Sequence, residues 1–222
     1  MTLGKIQSLV LASIFAVALV VSDNGDLPSD PVFWCLSETS AEAFACYKEA
    51  YGFSNSHLGG SLGKELKTLV TNDVKGWKQL QDNLRGRACL NALKNFLGPL
   101  RVLLRSESSS DHVCQYSGKK LNETMDELVK VIRTTVETIR RYVSHHSHVN
   151  LRGSAKVQHI NMTRMTDLAA RQMRSQNHHT PVSLRNFVLL ELLEQALRNI
   201  HTSKGCLNTA RSLWNPCPVG DN

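Results

Sequence analysis

Glycine and proline are scarce in this 222-residue chain, at 13 and 6, and no internal repeat or low-complexity tract runs through it. Collagen-like and linker-like chains are thereby excluded. Charge is limited too: 20% of residues are charged against 41% apolar, which excludes charge-driven disorder. A chain of this length buries about 70% of its surface, enough for one compact domain with a sizeable core. Paired CxxC cysteines are absent, so a zinc site built on them is excluded. No alternating apolar and polar run longer than a few residues stands between turn signals, and strands do not alternate with helices. The expected fold is all-α. Beyond residue 22 no apolar stretch approaches the roughly 20 residues that cross a bilayer, because the most apolar one, Phe187 to Leu193, is interrupted by Glu191.

What is present begins with residues 1–22. Lys5 gives a positive start, Ser8 to Val21 is almost unbroken in its apolar character, and Val20 and Ser22 stand at the −3 and −1 positions of a cleavage site. This predicts a signal peptide over 1–22 and a single helical extracellular domain over 23–222, secreted and carrying a net charge of +6 once Lys5 is gone from the +7 of the whole chain. In an oxidising compartment the six cysteines, Cys35, Cys46, Cys89, Cys114, Cys206 and Cys217, read as three disulfides. Short local loops, Cys35 to Cys46, Cys89 to Cys114 and Cys206 to Cys217, are the preferred pairing, and a staple joining the two ends of the domain is the rival. Two sequons, Asn122-Glu-Thr and Asn161-Met-Thr, are the expected glycosylation sites of the same compartment.

Helical patterns follow one another along the mature chain. Thr39-Ser40-Ala41-Glu42 has capping-box spacing, and the helix it opens should stop at Gly52. Leu62 to Leu84 recur at three and four residues; Gly86 is a candidate stop, and the pattern resumes from Cys89 and should kink or break at Gly98-Pro99. A polar loop from Arg105 to Lys120 holds Cys114. Leu121, Met125, Leu128, Ile132, Val136, Ile139 and Val143 make a clean stripe over six turns. A shorter helix carries Met162, Met165, Leu168, Ala169 and Met173. Thr180-Pro181 then opens a very apolar helix through Leu184 to Ile200. The expectation is a disulfide-stapled bundle of four to five helices with long connections.

Catalytic signals do not survive their context. Gly59-Gly60-Ser61-Leu62-Gly63 matches a nucleophile elbow as a string, but Phe53 to His57 is not the apolar strand the elbow needs, so Ser61 reads as a helix cap. His145-His146-Ser147-His148 and Asn177-His178-His179 contain enough imidazole for a metal, yet both clusters fall at helix ends, where a solvated loop is the plainer reading. Carboxylates are scattered, with no glycosidase pair. Arg133, Arg140 and Arg141 line part of one helix and Arg164, Arg171 and Arg174 the next, a basic excess suited to sulphated polysaccharide or an acidic receptor rather than nucleic acid. Lys119-Lys120 and Arg140-Arg141 are dibasic, the second pair inside the best helix.

Two resemblances bear on function. Cys35-Leu36 followed by Ala43-Phe44-Ala45-Cys46, then Leu84 to Leu90 around Cys89, then Cys114-Gln115-Tyr116-Ser117, resembles the stanniocalcin glycoprotein hormones over Cys35 to Leu121. That family is richer in cysteine and keeps an odd one for a covalent dimer, so covalent dimerisation does not carry over to six. The last helix, Leu184-Arg185-Asn186-Phe187 through Ala196-Leu197-Arg198-Asn199-Ile200, is similar to the last helix of the long-chain four-helix cytokines, which implies Arg185 and Arg198 as receptor contacts. Both resemblances imply an extracellular signalling ligand, hormone- or cytokine-like, that binds a cell-surface receptor, uses no cofactor and catalyses nothing. The alternative is a secreted helical carrier whose Leu- and Met-rich faces, Phe187 to Leu193 with Met162, Met165 and Met173, enclose a lipid.

Overall fold

The computed structural model describes residues 31–53, 65, 82–145, 160–173 and 180–202. The signal-peptide segment, the Gly59 to Gly63 string, Arg174, His146 to His148, His178, His179, Cys206 and Cys217 lie outside them. Among the described residues there are five helices and no strand: α1 Pro31–Tyr51, α2 Asp82–Ser106, α3 Leu121–His145, α4 Met162–Met173 and α5 Pro181–Thr202. The all-α expectation holds, and no described helix is long and apolar enough to cross a membrane.

Local chemistry sets most helix ends. α1 stops where Gly52 adopts φ +63°, with Gly52 N–H donating to the Glu49 carbonyl and Phe53 N–H to that of Lys48, the paired bonds of a left-handed cap. α3 opens at Lys120, whose N–H donates to the Glu123 carboxylate. At α4, Asn161 Oδ1 accepts from the Arg164 N–H. At α5, Thr180 Oγ1 accepts from the Ser183 N–H while Ser183 Oγ accepts from the Thr180 N–H, a reciprocal cap before Pro181.

Two expected boundaries fail, and the break allowed at Gly98-Pro99 does not occur. α1 begins at Pro31, so Thr39 to Glu42 is no capping box; Thr39 sits within the helix and its hydroxyl donates back to the Cys35 carbonyl. α2 does not end at Gly86. It also runs unbroken through Gly98-Pro99. A residue before proline is pushed out of the helical region partly by its Cβ, and glycine has none, so one arm of that restriction is missing. The flanking buried rows, Leu93 and Phe96 before and Leu100 and Leu103 after, are held in the core on both sides.

α1 packs on α3 and α5, α2 packs on the same two, and α4 lies along α5. α1 and α2 thus occupy opposite corners of a four-helix core. Tyr47 and Phe53 at the C-terminal end of α1 meet Ser183 and Phe187 at the start of α5. Ser106 and Glu107 at the end of α2 meet Asn186. α3 leaves the same end of the bundle through the 107–120 loop, tied to α1 by the Cys46–Cys114 disulfide. α1 and α2 therefore run one way and α3 and α5 the other, an up-up-down-down order. The short link joins α2 to α3; the long links join α1 to α2 and α3 to α5. α5 is buried on every side from Ser183 to Leu190, its apolar residues packed in the core and its Ser183, Arg185 and Asn186 hydrogen-bonded. Phe187 is its anchor, stacked on Phe53 at 4.5 Å and tilted against Phe44 at 5.3 Å.

Candidate functional site

The described residues concentrate unusual chemistry at one end of the bundle, where α1 and α2 finish and α3 and α5 start. Glu107, one residue past α2, is 3% exposed. Its carboxylate accepts from Tyr51 Oη on one oxygen and from Asn186 Nδ2 at 3.0 Å on the other, with Tyr47 Oη at 3.4 Å. Asn186 in turn accepts on Oδ1 from Arg185 Nε and Nη2, at 3.1 and 2.7 Å, and Arg185 Nη1 donates to Thr166 Oγ1 on α4. Anion and cation are thus joined through an amide rather than face to face. Burial, with the Glu107 carboxylate beside it, pushes the Tyr47 phenol well above its ordinary value. Tyr51 is pushed up by burial and by its hydrogen bond to the same carboxylate. Burial pulls the Arg185 guanidinium down, against the pull of Tyr47 and Glu107. Tyrosines whose protons are held by burial and by a neighbouring carboxylate are poor reagents; the network fastens four elements together.

That fastening launches the 107–120 loop. Leu121 N–H donates to the His112 carbonyl, Cys114 N–H to the Lys119 carbonyl and Gly118 N–H to the Cys114 carbonyl, with Gly118 at φ +70° closing the turn and Val113 bridged to Lys120. The disulfide ties Cys114 to Cys46 on α1, with a Cα separation of 5.1 Å. Glu49 on α1 accepts from the Gln115 N–H on both carboxylate oxygens and meets His112 Nε2 at 3.2 Å. Lys119 is bonded to Glu127, whose carboxylate raises its pKa. The outcome is a knuckle fixed at its base and middle whose tip turns apolar groups outward. Tyr116 is 92% exposed and Val113 50%.

Of the residues singled out in the sequence, Cys46 and Cys114 come together, which overturns the expected Cys35–Cys46 and Cys89–Cys114 loops. The reason is topological: α1 ends beside the loop after α2, so the α1 cysteine nearest that end meets the loop cysteine. Cys35 and Cys89 are also disulfide-bonded. Asn161 is exposed and Asn122 half-buried on the first turn of α3. Arg198 is exposed and pairs with Glu194, whereas Arg185 is 7% exposed and committed to the core, so it is no receptor contact. Arg133, Arg140, Arg141, Arg164 and Arg171 are exposed. Met165 and Phe187 to Leu190 are buried against the bundle's own side chains. No three His, Cys, Asp or Glu among the described residues could share a metal ion.

Sequence reading missed Glu107, Tyr47 and Tyr51, and passed over Tyr116 except as part of a resemblance. The loop cysteine was the available signal, since a cysteine in an otherwise polar loop implies a tether and hence a fixed shape around it. Protein-family models, curated proteins and solved structures contain no match to the chain.

Proposed function

We propose that the chain is an extracellular signalling ligand that works by binding a cell-surface receptor and catalyses nothing. The observation that carries this reading is the up-up-down-down order of α1, α2, α3 and α5 with its long first and last connections, the connectivity on which growth-hormone and cytokine bundles are built. Oxidised cysteines add support, because disulfides persist in secreted proteins. The lipid-carrier alternative loses its main residues, since Phe187 to Leu190 and Met165 are already occupied in the core.

The contact surface in this reading centres on the knuckle. A fixed loop loses little freedom on binding, and an exposed tyrosine is among the side chains most often found at the energetic centre of an interface. Labelled protein recovered from culture medium should bind responsive cells saturably and be displaced by unlabelled protein. Tyr116→Ala should weaken binding by about 2 kcal/mol, some thirtyfold, with unchanged thermal stability. Full-affinity binding by that variant would remove the knuckle from the interface. Absence of saturable binding across a broad panel of cell lineages, or turnover abolished by a single Ser or His substitution, would sink the ligand reading itself.

A further inference from the structure

We propose that the outer line of α2, formed by Lys94, Arg101 and Arg105, docks a linear sulphated polysaccharide; this rests on the extracellular reading above. At 100° and about 1.5 Å per residue, Arg101 and Arg105 fall within about 20° of Lys94 around the helix, and the three cations span about 16 Å along it. All three are exposed.

What sets this line apart is the lack of any compensating charge. Between Arg87 and Ser106 the helix contains no Asp or Glu. Among the described residues none of its three exposed cations forms an ion pair; on α3 Arg133 and Arg141 are likewise unpaired, but Lys130 is matched by Asp126 and Arg140 by Glu137, and elsewhere Lys119 is matched by Glu127 and Arg198 by Glu194. On α4, Asp167 stands between Arg164 and Arg171. Only α2 therefore presents an unbroken row of free positive charge among the described helices.

The shape of the row selects the partner. Gly98, on the same face, leaves a notch between Lys94 and Arg101 where an added Cβ would touch nothing. No large apolar side chain stands on the line itself, so it lacks the apolar centre that a protein interface is built around. A row of exposed cations along one helix reads charge spacing along a polymer and little else. In an extracellular setting a flexible polyanion with densely spaced sulphates meets that description, and releasing its counterions supplies the affinity.

Heparin is the probe. Full-length protein from culture medium should bind it with a steep salt dependence. The triple variant Lys94→Gln/Arg101→Gln/Arg105→Gln should lose at least about tenfold in affinity and about two units of the slope of log K against log salt, taking about 0.7 per cation. The charge-matched control Arg133→Gln/Arg140→Gln/Arg141→Gln should change affinity less than about twofold, with far-UV circular dichroism confirming that both variants fold. Equal losses in the two variants, or none in the first, would overturn the assignment to α2. Competition by single-stranded DNA as strong as that by heparin at equal phosphate and sulphate concentration would overturn the commitment to a sulphated glycan. Whether the protein reaches the medium with residues 1–22 removed is read separately and tests the extracellular premise alone.

Discussion

Glu107 shows how one residue can tie an end of a bundle together. Tyr51, Tyr47 and Asn186 all direct donors at its carboxylate, and Asn186 passes the charge on to Arg185. Glu107→Ala strands those donors in a buried site, where an unsatisfied polar group costs about 1–3 kcal/mol and an unpaired charge more. The expected loss is about 3 kcal/mol, or roughly 10 °C in Tm for a domain of this size, measured by thermal melts. Alkaline titration probes the same network from the other side. Tyr47 and Tyr51 hold their protons above the ordinary tyrosine value near pH 10, so the native chain binds protons that the unfolded chain has already released. Stability is therefore complete below about pH 10 and falls as pH rises beyond it. The near-ultraviolet signal of their ionisation should coincide with loss of far-UV helicity; smooth ionisation of all four tyrosines near pH 10 in a folded protein would contradict the network. Neither role was legible in the sequence. Glu107 reads there as one acid in a polar loop, and Arg185 as an exposed receptor contact, because nothing local reveals that four distant segments converge on them.

At the scale of elements, legibility followed the strength of the periodic signal. The stripe from Leu121 to Val143 became α3, and the Thr180-Pro181 cap opens α5, because both signals are local and reinforce one another. Misreadings came where a local signal was outweighed from outside the helix. The Thr39 to Glu42 spacing fits a helix start, but Leu36 is fully buried and Pro31 already fits a first helical position, so the helix gains by starting earlier. Gly98-Pro99 reads as a break, since Pro99 cannot donate to the Asn95 carbonyl. Burial of Phe96, Leu100 and Leu103 against α3 and α5 outweighs that one missing bond. The knuckle presents the opposite case. Its polar composition was plain, but its fixed shape depends on Cys46 and Glu49, more than 60 residues away in sequence.

At the scale of the molecule, helix content was readable and helix direction was not, because direction is set by pairs distant in sequence such as Tyr47 with Ser183 and Glu107 with Asn186. Direction now constrains the remaining disulfides. Cys46 and Cys114 are taken, leaving Cys35, Cys89, Cys206 and Cys217 with three possible pairings. Cys35 lies near the start of α1 and Cys89 in the first turns of α2, both at the end of the bundle opposite the knuckle. α5 runs antiparallel to both helices and finishes at Thr202, at that same end, four residues in sequence before Cys206. α1 and α2 each pack on α3 and α5 rather than on one another, which disfavours a direct Cys35 to Cys89 bond. Non-reducing peptide mapping should therefore find Cys35 and Cys89 each joined to one of Cys206 and Cys217. A bridge of this kind closes a long loop and, in the chain-entropy view, stabilises more than a local one, by up to about 4–5 kcal/mol. Selective reduction of those two bonds should then lower the melting temperature while the Cys46 to Cys114 tether survives. A Cys206 to Cys217 loop with Cys35 bonded to Cys89 would instead require α1 and α2 to meet at their starts, and the antiparallel four-cornered arrangement would have to be abandoned.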